Sequence, residues 1–494
     1  MIEVRHTSNR DIIKRIILRG KLILDTPTCL GSGDADSPLD LAILRDSISN
    51  HALLTGSSIA GALRSYLREY DKGYNIRDKR DDVATKLFGD LFAYDNEEKL
   101  SEKQKIGLRE KDNQSLLIID DAVSTTPIQA EVRDGVKIDS VTRTAVDKAK
   151  YDLELLEAGS EFNLNFELIV EKNPDEDTLI KALVIALHGL EKHESSTSSQ
   201  ISIGIKKNRG FGRCHVEKWQ VWQFDLREHE QRIKWLTFPH WETGFLNDYP
   251  THDNIADALG ICVDGEDKRD RITIQATFTL ASPLLIRSGQ ASTDKAPDVV
   301  HLKSRRNGDL KSILSGTSLT GVLRHRAERI VNTLKKDTNI INKMFGFTDE
   351  KTKKAKASRL IVDEVEIKNV TDLVQNRIAI DRFTGGALHG ALFNEQPIFG
   401  NDETSLVIQL ELRQPEKYEI GLLLLLIKDL WTGDLTVGGT SSIGRGKLQG
   451  KEAIIKHGDK TWKISQNSQN EHLNVDNAED LEEFVAALNQ EVKN

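Results

Sequence analysis

A stretch that begins with a glycine turn and continues as an amphipathic helix occurs twice in this sequence. The first copy, Gly56 to Tyr70, reads GSSIAGALRSYLREY, and the second, Gly316 to Ile330, reads GTSLTGVLRHRAERI. Their matching glycines, serines, leucines and arginines stand 260 positions apart. Leu87-Phe88-Gly89 and Met344-Phe345-Gly346 repeat at nearly the same spacing, 257 positions. A self-similarity of this length predicts two tandem copies of one domain.

Each copy is typical of a tight turn that enters a helix. A serine in the first turn, Ser57 or Ser58 in the first copy, can cap the free backbone N–H groups. The glycine that opens the turn lets another backbone or a phosphate come close. Arg64 and Arg68 add positive charge near a helix N-terminus, which itself favours anions. For either copy alone, an ordinary capped helix is the simpler interpretation.

The composition is ordinary for a globular protein, with 38% hydrophobic and 29% charged residues. The longest apolar run, Leu422 to Ile427, is far shorter than a membrane-spanning helix, and the N-terminus has no signal-peptide pattern. We therefore expect a cytoplasmic protein without a membrane partner. Cys29, Cys214 and Cys262 show no paired spacing, which argues against disulfides and zinc. The net charge of −9 means that any RNA site must be a local basic track.

Two glycine-rich loops provide such a track. The first glycine loop, residues 203–213, has three glycines, no acid, and the cations Lys206, Lys207, Arg209 and Arg213. The second glycine loop, residues 438–447, contributes Arg445 and Lys447. Backbone N–H groups and cations in such loops can face phosphates. The GxxxxGK(S/T) spacing of a nucleotide-binding phosphate loop is missing, so that enzyme class is disfavoured. A glycine hairpin with solvated lysines is the simpler alternative for one loop.

The order of elements predicts an α+β fold. Alternating apolar residues indicate a strand from Arg15 to Leu24 and a second from Leu164 to Val170, and Leu179 to Leu190 reads as a helix. The irregular, polar residues 122–159 predict an insertion or protruding hairpin. Strand, helix, strand, hairpin, strand, helix, strand is the order of a ferredoxin-like (RRM-like) unit. We therefore predict two tandem ferredoxin-like domains with inserted hairpins.

We predict four segments along the chain. The first domain covers residues 1–225, a tryptophan-rich linker or junction covers 226–268, and the second domain covers 269–465. Residues 466–494 read as a polar tail with a short acidic helix. The tryptophans between 219 and 260 are expected to pack at a domain junction rather than stack on bases.

Each half resembles a RAMP-superfamily domain of the kind that forms the backbone of type III CRISPR effector complexes. The resemblance rests on the two glycine turns, the Leu-Phe-Gly and Met-Phe-Gly motifs and the glycine loops. It also rests on Val362-Asp363-Glu364 and on Arg377 to Gly386, which reads RIAIDRFTGG. The first half has only Asp139 to Arg143 as a relic of that last motif. Two such domains in one chain resemble the fused backbone subunits of type III-D variants.

The resemblance implies a backbone subunit that lies along a guide RNA, beside other RAMP-type subunits and a complementary target RNA. The glycine turns and basic residues would hold guide phosphates, and the hairpins would wedge into the guide–target duplex. The residues assigned to RNA contact are Gly56, Ser57, Ser58, Arg64, Arg68, Lys206, Lys207, Arg209, Arg213, Gly316, Thr317, Ser318, Arg324, Arg377, Arg382, Arg445 and Lys447.

The resemblance also implies an endoribonuclease, in which an aspartate after the first strand cleaves target RNA beside each hairpin. The neighbouring 2′-OH would be the nucleophile, helped by a divalent metal such as Mg²⁺ or Mn²⁺. The family's Asp-Ser-Pro matches Asp36-Ser37-Pro38; in the second half Asp294 is the best counterpart and Asp298 the other candidate. Asp36 and Asp294 are the expected metal ligands. In structural terms, an aspartate in such a loop is usually a turn or cap residue.

Two other interpretations stay open. One is a purely structural RNA-binding subunit whose aspartates are inert. The other is a guide-precursor-processing endoribonuclease of the same superfamily, which usually relies on an early histidine. His51 is the candidate for that residue, and the second half has no match to it.

Overall fold

The computed structural model of the chain describes most of the sequence. The described residues are 11–33, 41–79, 81–90, 101, 103–104, 114–139, 142, 144–172, 176–192, 199–262, 265–288, 297–349, 354–466 and 472–490.

The first half is built on a four-stranded antiparallel sheet. Its elements are β1 (Ile12–Leu24), β2 (Leu53–Leu54), α1 (Gly56–Lys72), α2 (Val83–Phe88), β3 (Leu117–Ile119), β4 (Ala122–Val123), β5 (Ala130–Ile138), β6 (Ala145–Leu156), β7 (Glu161–Glu171), α3 (Glu176–His188) and β8 (Cys214–Asp225). The strand order is β3-β7-β1-β8. The alternation predicted for β1 is confirmed, because Ile16, Leu18, Leu22 and Leu24 are all buried in one core with α1 and α3.

The segment predicted as an insertion or protruding hairpin is a hairpin. Strands β5 and β6 pair from Ala130 opposite Leu156 to Ile138 opposite Ala145. This first hairpin is therefore present although its sequence keeps only a relic of the second-half motif.

The tryptophan-rich residues after β8 do not fill a space between the two domains. Helices α4 (His229–Leu236) and α5 (Ile255–Leu259) belong to this part of the chain. We call residues 226–254 the aromatic segment. Its Phe238 is buried against Ile17 and Trp222 of the first sheet, because the outer face of that sheet is itself apolar. The residues expected to form a domain junction therefore cover the outer face of the first sheet.

The second half repeats the same sheet and extends it. Its elements are β9 (Arg271–Leu280), β10 (Arg287–Ser288), β11 (Val299–His301), β12 (Lys303–Arg306), β13 (Asp309–Leu314), α6 (Gly316–Thr333), α7 (Asn339–Phe345), β14 (Phe347–Asp349), β15 (Lys354–Lys356), β16 (Leu360–Val362), β17 (Val365–Glu366), β18 (Lys368–Asp372), β19 (Gln375–Ile380), β20 (Ala387–Gln396), β21 (Ile398–Arg413), α8 (Lys417–Trp431), β22 (Leu448–His457), β23 (Lys460–Ser465), β24 (Asn474–Val475) and α9 (Ala478–Gln490). The order β16-β21-β9-β22 matches that of the first sheet, and β23 and β24 continue it.

The C-terminal helix is part of the second domain rather than a separate tail. In α9, Leu481 and Leu488 are buried in the second core. Gly421 of α8 lies so close to α9 that a Cβ there would stand 2.2 Å from the carbonyl oxygen of Phe484. The second domain therefore extends beyond the boundary predicted at residue 465.

Each half has its own hydrophobic core, and the mixed α+β class is confirmed. Among the described residues, no helix is long and apolar enough to cross a membrane.

Candidate nucleic-acid interface

The helix that follows each glycine turn is capped by the residue before the glycine, not by the serines after it. The Thr55 hydroxyl accepts a hydrogen bond from the N–H of Ser58 at 3.3 Å, and the Ser315 hydroxyl accepts one from Ser318 at 3.2 Å. The predicted cap at Ser57 or Ser58 is therefore wrong. Because Thr55 takes the capping role, Ser57 and Ser58 remain exposed at the positive end of α1.

The first glycine of each turn packs against protein backbone. A Cβ at Gly56 would stand 2.3 Å from the Ile119 carbonyl oxygen, and one at Gly316 would stand 2.2 Å from that of Arg209. Neither glycine has a positive φ, so close packing is the reason for glycine here. The space that a phosphate would need beside either Cα is occupied. The second glycine of the first motif, Gly61, instead faces open space.

The arginine shared by the two motifs is a structural brace. Arg64 is buried and donates hydrogen bonds to the Asp78 carboxylate and, at 2.6 Å, to the carbonyl oxygen of Gly89. Arg324 donates at 3.0 Å to the carbonyl oxygen of Gly346, the equivalent glycine of the second half. The assignment of Arg64 to RNA contact is therefore wrong, since its donors are committed inside the domain.

A cavity of about 370 Å³ lies between the start of α1 and the first glycine loop. We call it the cradle. Its polar wall includes Ser57 and Ser58, and Gly61 leaves room for close approach of a ligand, whereas a Cβ at Gly204 would stand 2.5 Å from the carbonyl oxygen of Cys29. Exposed hydroxyls, glycines and a helix N-terminus are the groups that hold a phosphate without reading a base.

Lys207 stands where the cradle meets a second cavity. This interdomain cavity, of about 670 Å³, lies between α1 and the sheet of the second domain, and it shares Ala62, Ser202 and Lys207 with the cradle. Lys207 is accessible, and the structure gives it no hydrogen bond or ion pair with any described residue. Partial burial lowers the pKa of the Lys207 ammonium, and the charge of Arg413 lowers it further.

Arg209 brings a second cation to the same loop. It is half-buried, and its one hydrogen bond to a described residue runs 3.1 Å to the carbonyl oxygen of Asn208. Burial lowers the pKa of the Arg209 guanidinium, as does the neighbouring charge of Arg324. Arg324 is already paired with Glu328 at 3.3 Å, so Arg209 is the one of these two arginines without a carboxylate partner among the described residues.

The glycine loops have the same backbone path in both halves. Lys206 and Thr440 take equivalent left-handed conformations at φ 58° and 59°. A Cβ at Gly212 would stand 1.8 Å from the carbonyl oxygen of Ile203, so only glycine fits. The Lys206 ammonium lies 3.7 Å from the ring centroid of Tyr151, which ties the loop to the first hairpin.

Several predicted RNA-binding arginines are paired with protein carboxylates instead. Arg213 pairs with Asp363 at 2.6 Å, across the two domains. Arg445 and Arg377 both pair with the buried Glu395, at 2.8 and 2.9 Å. These three arginines position the glycine loops and the second hairpin, and a direct phosphate contact would compete with those pairs.

The remaining predicted contacts lie on the surface or at its edge. Lys447 and Arg382 are exposed, and Arg68, Thr317 and Ser318 are half-exposed. They are accessible to a ligand, and nothing in their packing assigns them one.

The second hairpin, β19–β20, presents apolar side chains to solvent. Ile380, Leu392 and Phe383 are 64%, 67% and 102% exposed. Exposed apolar side chains at a hairpin tip are typical of a surface that contacts a partner, and such a tip is suited to stacking on bases.

The candidate catalytic loops begin and end beside the hairpin of their own half. Asp36 and Asp294 lie outside the described residues. In the first half, Leu41 bridges to Leu153 of the hairpin, and in the second Val299 pairs with Glu395. The described ends of both loops are thus anchored at equivalent places.

The other candidate catalytic residues have structural partners. Asp298 is exposed, and its carboxylate accepts a hydrogen bond from the N–H of Asn394 at 2.8 Å. A ring nitrogen of His51 lies 2.7 Å from the carbonyl oxygen of Ser124. Within the described ranges, no group of three acidic, histidine or cysteine side chains is arranged to hold a metal.

Sequence reasoning missed the charged cluster that joins the domains. Glu364, whose side chain is fully buried, pairs with Arg133 at 2.7 Å and also with Arg306. Although burial alone would raise the pKa of Glu364, the charges of Arg133 and Arg306 lower it. The acidic pair that follows a short strand in each half was the available sequence signal for this cluster. The arginines that pair with it, however, come from distant parts of the chain.

A family model named the RAMP superfamily matches two regions, residues 21–215 and 277–449. No curated protein matches the chain. The two matched regions contain both glycine turns, both hairpins and both glycine loops, together with part of each central strand, β1 and β9. Since they cover well over half of the sequence, the chain belongs to the RAMP superfamily and contains two copies of its domain.

Proposed function

We propose that this chain is a guide-RNA-binding backbone subunit of a type III-like CRISPR ribonucleoprotein. RAMP-superfamily membership supports a CRISPR-associated, RNA-binding subunit that works beside others of its kind. The strand order of each sheet, with two helices on one face, supports a ferredoxin-like unit in each half. The observation that carries the proposal is Lys207, an exposed cation without an ion pair to any described residue, where the cradle meets the interdomain cavity; Arg209 lies two residues on in the same loop and lines neither cavity.

The two cations favour a ligand with spaced negative charges. Burial lowers the pKa of both groups, and neither forms an ion pair with a described residue, although the charge of Glu69 partly offsets the lowering at Lys207. Phosphates placed beside them would offset that cost. The cradle and the interdomain cavity share Lys207. Carboxylates such as Glu69 and Asp267 line the interdomain cavity and none lines the cradle, so the phosphates are expected on the cradle side.

Among the described residues that line the cradle, the polar side chains are hydroxyls, one thiol and one lysine, and no amide or carboxylate suited to reading a base edge is among them. Ser57, Ser58 and the N-terminus of α1 are suited to phosphate oxygens, which fix register and carry no sequence information. A guide whose sequence varies requires contacts of this type. The exposed apolar tip of the second hairpin would then meet bases of the paired strand.

Cleavage of target RNA at Asp36 and Asp294 is part of the proposal. A carboxylate beside the scissile phosphate can take the proton from a 2′-OH nucleophile. The anchoring of both loops at the hairpin bases supports a cut beside each hairpin. The expected divalent metal stays a prediction, since the described residues contain no ligand cluster, and no step is assigned to it.

The test is the salt dependence of single-stranded RNA binding. Each lost phosphate contact reduces the slope of log K against log salt by about 0.7, so Lys207→Ala with Arg209→Ala should reduce it by about 1.4. The loss should be equal for RNAs of unrelated sequence. Lys181→Ala with Lys234→Ala removes the same charge from exposed positions outside the groove and serves as the control. An unchanged slope in the first variant would contradict the proposal.

A further inference from the structure

The outer sheet faces of the two domains are equivalent in register. Ile17 of β1 lies opposite Trp222 of β8, and Thr273 of β9 lies opposite Lys456 of β22. Ile17 and Thr273 are 256 positions apart, the spacing of the repeat in this strand. The same geometric face is therefore apolar in the first domain and polar in the second.

The polar face of the second domain receives the first domain. It forms one wall of the interdomain cavity, and α1 forms the other with Tyr66 and Glu69. At the rim, the Arg413 guanidinium lies 5.1 Å from the ring centroid of Tyr74. The contact between the domains therefore has two sides. The first domain contributes α1 and its glycine loop, and the second contributes its sheet face and Asp363, an acidic residue at the end of a strand.

The matching face of the first domain is covered by its own chain. Arg19, which is fully buried, donates hydrogen bonds at 2.8 Å to the carbonyl oxygens of Pro239 and Gly244 in the aromatic segment. The Gln220 side chain donates to the carbonyl oxygens of Leu246 and Tyr249. A preceding domain cannot occupy this face while the segment is there.

The second glycine loop, on the other side of the two-domain unit, is exposed. In the second glycine loop, Ser441, Ser442 and Lys447 are exposed, and Lys447 stands where Arg213 stands in the first loop. A head-to-tail contact of this type repeats without closing unless one end is blocked. The aromatic segment is such a block.

We propose that the aromatic segment caps the first domain, so that this chain ends a row of RAMP-type domains and its neighbour at the second glycine loop is a different RAMP-type subunit. That neighbour brings a carboxylate at a strand end, as Asp363 does for Arg213, and a sheet face left uncovered. A second copy of this chain is excluded as the neighbour because its receiving face is capped. The inference rests on the proposed function for the existence of other subunits, and the cap itself rests on the structure alone.

The first test places cysteine pairs at equivalent contacts, in a Cys262→Ser background that removes the exposed native thiol. Asn208 donates a hydrogen bond at 2.8 Å to the carbonyl oxygen of Ser358, so Asn208→Cys with Ser358→Cys should be joined within one chain by a short bis-maleimide. The equivalent residues are Ser442 in the exposed second glycine loop and Ser115 of the capped first domain. Ser442→Cys with Ser115→Cys should leave the purified chain monomeric. A ladder of covalent dimers and longer species would overturn the proposal.

The second test uses the native complex. A photo-cross-linking residue at Ser442 should attach to a RAMP-type subunit other than this chain. Attachment to residues 114–125 of a second copy, or no attachment in a complex that retains its RNA, would overturn the inference and leave the RNA-binding proposal standing. A complex without RNA would contradict the proposed function instead.

Discussion

Replacing Glu364 by glutamine tests what holds the two domains together. Its carboxylate is fully buried between Arg133, 2.7 Å away, and Arg306, which come from the first hairpin and from β12. Glu364→Gln keeps the side-chain volume and removes the negative charge that pairs with both of these guanidinium groups. Removing one partner of a buried ion pair costs about 3–5 kcal/mol when the charge left behind is uncompensated. Because Arg133 keeps its ion pair with Glu131 at 2.7 Å, we expect a smaller loss of unfolding free energy, about 2–3 kcal/mol.

Asp363 is the matched control. It lies next in the chain, and it also pairs with an arginine across the domains, but its side chain is 19% exposed. Because water reaches that carboxylate, Asp363→Asn should cost about 1–2 kcal/mol.

Urea unfolding followed by tryptophan fluorescence measures both variants. The charges of Arg133 and Arg306 lower the pKa of Glu364 against the effect of burial, so the unfolded chain takes up this proton first as the pH falls. The stabilisation is therefore present above the usual glutamate pKa of about 4.3 and is lost below it. A Glu364→Gln variant within about 1 kcal/mol of the parent, or no more affected than Asp363→Asn, would refute the reasoning.

Three further predictions concern single sites. Asp36→Asn and Asp294→Asn should each abolish one cut in a complementary target while RNA binding is kept, and surviving cuts in the double variant, with the other subunits inactivated, would indicate a scaffold. Burial lowers the pKa of His301 to about 4; the unfolded chain therefore binds this proton first, and about 3 kcal/mol of stability should be lost between pH 7 and pH 4. Urea titrations of the parent and of His301→Asn check that difference. Gly56→Val should destabilise the fold by about 3 kcal/mol, because its side chain would meet the Ile119 carbonyl; a normal melting temperature would contradict this packing.

The duplicated pattern was sufficient to predict the two domains. The alternation in β1 and its repeat in β9 each fixed a central strand, because apolar residues at every second position can only face one core. The same comparison located the glycine loops, whose glycines are required by positive φ or by close backbone contact.

The roles of individual cations could not be predicted from the sequence. Arg64 and Lys207 were both predicted to contact phosphates. Arg64 donates hydrogen bonds to a carbonyl oxygen and a carboxylate, whereas Lys207 has neither partner among the described residues. Their partners are set by contacts between residues far apart in the chain. For Arg64 a signal was available, since an arginine in the helix occurs together with a Phe-Gly turn in both halves.

The aromatic segment shows a second limit. Its aromatic residues indicated burial, but composition does not say which of them are buried or against which surface: Phe238 is buried on the first sheet, whereas Trp241 is 96% exposed. The apolar outer face at Ile17 and Trp222 was the clue, because its counterpart in the second half carries Thr273 and Lys456.

The central claim is that this chain holds RNA by its phosphates. The most direct measurement is to purify it with its native partners, digest unprotected nucleic acid, and sequence what remains bound. We expect a protected RNA of variable sequence in each complex. It should be released when Lys207 and Arg209 are replaced by alanine and retained when Lys181 and Lys234 are replaced. A complex that assembles without RNA, or RNA that stays bound to the Lys207 and Arg209 variant as tightly as to the parent, would contradict the central claim.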